Sequence, residues 1–329
     1  MLVPFSFRAV TNSTWKMCCF QTNLSALSRS LATLQLPSPM ETHLWYVMPD
    51  EVKSVSLLNQ YMGLLSPSEK QQVLSTSDRR LQKSALLART LVRTIIARYQ
   101  INHHDDPRTL KFKKNIHGKP EVDWELGGCD GWCPPPLHFN ISHTSSLIAC
   151  GVTMNSPIGV DVEEKHRKLK HNILAFVRRY FSACEAERLS AISDTEIQRQ
   201  EFVKLWTLKE AYVKALGRGF SAAPFRTFTI DIKNVKESFD LEKNSEAPEI
   251  IVKSLDDPEN CTTHWRFALL ELAGSHYTAI CIEKDKASEV GMSIPIRMTV
   301  RKTIPLVCDE CVSGTDAVLP IAGSIKQFL

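Results

Sequence analysis

"LWTLKEAYVKALGRG", Leu205 to Gly219, reads as a helix that runs into glycines. Leu205, Trp206, Leu208, Tyr212, Val213 and Leu216 wrap most of its circumference, the pattern of a buried helix. It still carries Lys209, Glu210 and Lys214. A Glu four residues before a Lys gives modest support to an exposed helix, but this helix has little solvent face for such a pair. Charged side chains are seldom buried unless they are paired or hold something. Thr207, Glu210 and Lys214 form one narrow polar stripe, and Gly217 and Gly219 supply the stop.

A second acidic cluster lies upstream in "IGVDVEE", residues 158–164. Strand alternation puts Asp161 and Glu163 on one face, about 7 Å apart along the strand, and turns Glu164 to the other. Two carboxylates on one face repel unless a cation lies between them. With Glu210 they present the hard oxygen ligands that Mg²⁺ uses, leaving positions for water and a substrate phosphate. The bland alternative is a strand end that simply reaches solvent. "NISH", Asn140 to His143, ends another strand where backbone N–H groups and an imidazole could hold a phosphate, and "GKP", Gly118 to Pro120, joins a tight turn to an amine and a rigid ring.

The order "GKP", "FNISH", "IGVDVEE", "LWTLKEAYVKALGRG" resembles the four successive signatures of the Sfp-like 4′-phosphopantetheinyl transferases, over roughly residues 40–285. "SPSEK" and "ARTLVRTII" resemble that family's N-terminal half. The resemblance implies an α+β fold of two pseudo-symmetric halves, each with helices packed on an antiparallel sheet and the active site in the cleft between them. It implies Mg²⁺ held by Asp161, Glu163 and Glu210 on the pyrophosphate of coenzyme A. It puts Lys119 and Pro120 by the adenosine end, Asn140, Ser142 and His143 by the phosphates, and Lys214 on the pyrophosphate and the departing group. Glu210, directly or through a metal-bound water, is the implied base. On this reading the acid of the helix binds metal and its bases bind phosphate. The reaction is transfer of phosphopantetheine from coenzyme A to a serine of an apo acyl carrier protein or carrier domain, releasing adenosine 3′,5′-bisphosphate. One departure concerns the 3′-phosphate: where basic residues are expected after "SPSEK", Lys70 is followed by Gln71 and Gln72. Lys70 and Lys114 are the first candidates for that contact, ahead of Arg89 and Arg93.

Two other readings remain open. "EEK" from Glu163 fits the Glu-x-Lys of metal-dependent nucleases, although there the Asp sits on a separate strand. A module that binds coenzyme A without catalysis would carry the same residues.

The chain's 329 residues suggest two compact units. Residues 1–39 hold Arg8, Lys16 and Arg29, many Ser and Thr, and no Asp or Glu, the composition of a mitochondrial or plastid transit peptide. The alternative is a cytoplasmic protein starting at Met40. Without those three charges the formal +4 falls to 37 basic against 36 acidic residues, so bulk charge gives no reason to expect nucleic acid. No apolar run is long enough for a membrane span, and a monomer is expected. The close pairs Cys129/Cys133 and Cys308/Cys311 lie too far apart in sequence for a ready zinc site. The expected units are an N-terminal half, 40–152, a C-terminal half with the carboxylates, 153–285, and a tail, 286–329. The tail's pattern fits either a disordered extension or an added edge element.

Overall fold

Strand β6, Ile158–Glu164, is buried over its first five residues, so both of its faces need a covering layer. The computed structural model describes residues 34–38, 41–99, 106–124, 136–169, 172–219, 223–233, 248–254, 264–284, 295–323 and 325–327. The expected transit segment and the Cys129/Cys133 pair lie outside the described residues, apart from 34–38.

The N-terminal half begins with β1 (Glu41–Val47), followed by helices α1 (Val55–Leu64), α2 (Pro67–Leu74) and α3 (Arg79–Arg98). The hairpin β2 (Phe112–Lys114) and β3 (Pro120–Val122) leads to β4 (Leu137–His143) and β5 (Ile148–Met154). In the second half β6 leads to α4 (Ile173–Tyr180), α5 (Ala183–Ser190) and α6 (Thr195–Leu216). The hairpin β7 (Phe228–Lys233) and β8 (Glu249–Ser254) follows, then β9 (Trp265–Leu272) and β10 (His276–Glu283). Beyond them come β11 (Ile296–Ile304), β12 (Cys308–Cys311), β13 (Val318–Ala322) and β14 (Ile325–Gln327).

One sheet runs β12-β11-β1-β5-β4, with β14 also on β11; the other runs β13-β9-β10-β6. Side-chain alternation sorts the core into three layers. Trp45, Val47, Ile148 and Cys150 face α1–α3. Leu44, Tyr46 and Ala149 turn the other way and meet Val160, Val162, Leu270 and Ile280 between the sheets. Phe267, Leu269, Ala279 and Cys281 point out of the second sheet into α6 and its neighbours. The architecture is therefore α+β, helices on sheet in each half, with the two sheets back to back.

The sequence's "SPSEK" segment is helical. Ser66 caps α2, accepting from the Glu69 N–H while Glu69 accepts from the Ser66 N–H, with Pro67 in the first turn. Two short helices precede α6, because Phe181 is extended and Ser182 opens a fresh cap.

The tail is part of both sheets. β11 lies between β1 and β12, pairing in parallel with β1 from Glu41↔Arg297 to Tyr46↔Lys302, and β13 lengthens the second sheet beside β9. Ile296, Met298, Val300, Val312 and Val318 are buried in the layer between the sheets. The parallel pairings of β11 with β1 and β14 all come from this segment. Among the described residues no helix is long and apolar enough to cross a membrane.

Candidate active site

Gly159 decides where α6 lies. A Cβ there would fall on the carbonyl oxygen of Ala211 and on the amide of Ala215, so only glycine lets the helix backbone rest on β6. That crossing puts Glu210 and Lys214 over Asp161, two residues along the strand. Gly217 then closes the helix in the left-handed region at φ 64°, as its sequence position indicated.

β4 lies beside β6 without a backbone ladder, and two side chains of "NISH" bridge the gap. Asn140 Oδ1 accepts from the Val160 N–H at 2.8 Å, and Ser142 Oγ accepts from the Val162 N–H at 3.3 Å. Ser142 also donates to Asp161 Oδ1 at 3.0 Å. Lys214 Nζ reaches both Asp161 Oδ1, at 2.6 Å, and Ser142 Oγ, at 3.0 Å. Asn140 and Ser142 are buried and join the halves, while His143 is exposed at the end of the strand. The ring is nevertheless partly desolvated on the side facing the site, and that with the neighbouring Lys214 holds the His143 imidazole below its usual range.

Burial is also the largest influence on the carboxylates. It pushes Asp161 up against the opposing pull of Lys214. Burial and the charge of Asp161 push Glu163 up to about 7, and the same two causes raise Glu210. Three carboxylates that each disfavour their charge are a site short of positive charge. Arg167, which the sequence reading passed over, supplies some of it: its Nη1 is 2.5 Å from Glu163 Oε1, and its guanidinium lies 5.5 Å from the Trp206 ring centroid. The basic run that follows "VEE" was its only sequence signal.

Among the described residues no three His, Cys, Asp or Glu side chains are already gathered as a metal cage. Glu163 is turned to Arg167 and Asp161 to Lys214. The residues nevertheless fit a hard cation, because Asp161 Oδ2 is buried with no hydrogen-bond partner. A carboxylate oxygen left that way is costly, and a divalent cation with oxygen ligands would satisfy it.

The other expected positions divide. Lys119 points inward, donating to the carbonyls of Ile158 at 3.0 Å and Lys214 at 2.9 Å, and burial pushes its ammonium down to about 8. With Pro120 it borders a cleft of about 420 Å³ that also meets Trp124, His138, Phe139 and Gly217, room for a nucleoside-sized group. Lys70 is half-buried on α2 and Lys114 exposed on β2; neither is among the cations acting on the carboxylates, which are Lys214 and Arg167. Arg93 is buried and spent on Glu69 and on the carbonyls of Pro107 and Leu110, so it is not available to a phosphate. Arg89 bonds Gln72 and the Ala85 carbonyl.

Lys209 corrects the expectation that both bases of the helix read phosphate. It is fully buried, 2.8 Å from Glu185 and 2.7 Å from the Phe228 carbonyl, with the Phe228 ring centroid 4.0 Å away. Glu185 in turn accepts from the Ile230 N–H. Thr207 spends its hydroxyl on the Val203 carbonyl of its own helix. Of the polar stripe, Glu210 and Lys214 belong to the site and Thr207 does not.

Residues 157–281, the segment that supplies β6, α6 and β10, match the family model of the 4′-phosphopantetheinyl transferase superfamily. The 4′-phosphopantetheinyl transferase Sfp of Bacillus subtilis is 31% identical over 172 residues, 52% of this chain and 68% of that protein. The chain belongs to the 4′-phosphopantetheinyl transferase superfamily. The transferase gsp of Aneurinibacillus migulanus is 30% identical over 155 residues, 47% of this chain and 57% of that protein. The mouse L-aminoadipate-semialdehyde dehydrogenase-phosphopantetheinyl transferase is 23% identical over 231 residues, 69% of this chain and 70% of that protein. Between these transferases and the present chain the shared stretch thus runs from little more than half to about two thirds of the relative's length.

Proposed function

We propose that this transferase moves the 4′-phosphopantetheine of coenzyme A onto a serine of an apo acyl carrier protein or carrier domain. The observation that carries the reading is the cluster itself: Asp161 with a buried, unpartnered oxygen, raised Glu163 and Glu210, and Lys214 bridging Asp161 and Ser142 across the two halves. Membership of the family supports the transfer; the nuclease and the silent binding module have no such support.

In the reaction the serine oxygen bonds to the β-phosphorus of coenzyme A as the bond from that phosphorus to the bridging oxygen breaks, and adenosine 3′,5′-bisphosphate leaves with the electron pair. Glu210, directly or through a bound water, is the group placed to take the serine proton. Lys214 lies where it can offset negative charge on the pyrophosphate and the leaving group. Asp161, Glu163 and Glu210 would hold Mg²⁺, which when bound neutralises pyrophosphate charge; Glu163 must then exchange Arg167 for it. The cleft beside Lys119 and Pro120 suits the adenosine end. Lys119 contributes there by holding the end of α6 rather than by offering its ammonium to a phosphate.

Incubation with coenzyme A, Mg²⁺ and a panel of apo carriers, followed by intact mass, tests this. One phosphopantetheine per carrier is expected, none on a carrier whose target serine is alanine. Organelle import remains part of the proposal on composition alone, and a reporter carrying residues 1–39 that stays in the cytosol would remove it.

A further inference from the structure

Strand alternation in the sequence turns Glu164 away from Asp161 and Glu163. It does turn away, and what it meets is the turn that follows "NISH". That turn, Thr144–Leu147, joins β4 to β5 and is closed by Thr144 N–H donating to the Leu147 carbonyl at 2.8 Å. The Thr144 hydroxyl accepts from the Leu147 and Ser146 N–H groups at 3.0 and 3.2 Å. Longer contacts within the turn, from the Thr144 hydroxyl to Ser146 Oγ and to the Leu147 carbonyl, each at 3.4 Å, add little, and its shorter side-chain bonds also reach the opposite half. Glu164 Oε1 accepts from Ser145 Oγ and from Ser146 Oγ, each at 2.7 Å. His276, paired with Glu164 in the β6–β10 ladder and 1% exposed, puts Nε2 at 2.9 Å from Ser146 Oγ and 3.1 Å from Thr144 Oγ1. Its Nδ1 is 2.9 Å from Ser275 Oγ.

With the ring proton on Nε2 each group has a use: Nε2–H donates to Ser146 Oγ, Ser146 donates its O–H to Glu164, and Ser275 donates to Nδ1. A buried imidazole satisfied on both nitrogens, on residues of two separate sheets, is an expensive arrangement to maintain for a surface turn. Its effect is local. The turn is the continuation of Ser142 and His143, and Ser142 is the hydroxyl shared by Asp161 and Lys214.

We propose that His276 and Glu164 are positioning residues: they clamp the 144–147 turn of one half to the β6–β10 edge of the other, and so fix Ser142 and His143 against the carboxylates for coenzyme A. The inference rests on the transferase reading. It assigns a role to two residues outside the set that touches the reacting atoms.

The test is coenzyme A affinity by titration calorimetry on the full chain, with transfer kinetics and melting temperature measured alongside. His276→Ala is expected to weaken coenzyme A, in Kd and KM alike, by about tenfold, the loss of two buried hydrogen bonds, and to leave kcat within about threefold of wild type. His276→Gln, which keeps an N–H at that reach, is expected to recover most of the affinity. Ser146→Ala, a change in the turn itself that spares the buried strand, should reproduce the effect if His276→Ala fails to fold. Combined with Glu164→Gln, Ser146→Ala should cost no more than the larger of the two single losses. Variants that melt earlier yet bind coenzyme A as tightly as wild type would reduce the clamp to a stabilising contact and overturn the inference alone. A wild type that does not bind coenzyme A overturns the transferase reading and this inference with it.

Discussion

Lys209 and Lys214 lie five residues apart on one helix and do different work. Lys209 is sealed with Glu185 beneath α6, whereas Lys214 spans the gap between the halves and holds Asp161. Lys209→Met is therefore expected to lower stability by about 3–5 kcal/mol, the usual cost of leaving a buried charge without its partner, measured by urea denaturation. Folded Lys209→Met protein should keep its kcat. Lys214→Ala is expected to act mainly on transfer, reduced at least roughly 100-fold, as for removal of a principal electrostatic element, with a smaller fall in the denaturation midpoint than Lys209→Met because Lys214 is partly exposed. The sequence showed three charges on a mostly apolar helix but not which way each turned. Lys209 differs from Lys214 in facing Glu185 and the aromatic cluster of Phe181, Phe225 and Phe228, and these come from residues on either side of the helix in the chain. Asp161 and Glu163 were legible, because strand period alone puts them on one face. Arg167 was not, since its part depends on the loop after β6 folding back over Trp206.

At the scale of elements, the contact between β6 and α6 carries the site, and Gly159 permits it. Gly159→Ala sets a methyl against helix backbone, which has no side chain to move aside, so both stability and transfer should fall. Overpacking of this kind typically costs about 1–3 kcal/mol or more, read by thermal denaturation. Gly151→Ala, whose methyl would meet side-chain atoms of Val160 and Ile158, should cost less. In α2, burial works against the charge of Glu69, yet Arg93 and the Ser66 N–H outweigh it and hold the carboxyl below its usual range. A carboxyl lowered on folding stabilises above its unfolded pKa, and that contribution is lost as pH falls through the folded value. Glu69→Gln should thus lower stability at pH 7 and converge with wild type in acid, as urea midpoints across pH will show. Both α2 and α5 open with a serine followed three residues later by glutamate, a capping signal present in the sequence. The α2 signal sits in so polar a stretch that helical periodicity does not reveal it.

Across the whole molecule, the two halves are joined by side chains at β4 and β6 and by the tail that enters both sheets. The tail's place was not legible because its pairing partner, β1, lies some 250 residues earlier, from Glu41↔Arg297 onward, and no local period announces a long-range parallel pairing. Removing residues 286–329 should expose the edge of β1 and the apolar layer between the sheets. The shortened chain is expected to lose near-ultraviolet dichroism and cooperative unfolding, whereas native spectra would make the tail an accessory. The two sheets and their helices were legible in outline from the motif order, and the family model covers the half that holds the carboxylates. The central claim is that the cluster of Asp161, Glu210 and Lys214 is where phosphopantetheine is transferred. Its most direct measurement is the mass gain of an apo carrier with coenzyme A and Mg²⁺, wild type beside Asp161→Ala, at matched melting temperature. Wild type should add one phosphopantetheine and release one adenosine 3′,5′-bisphosphate per carrier, with Asp161→Ala at least roughly 100-fold slower; equal rates for the two proteins would contradict it.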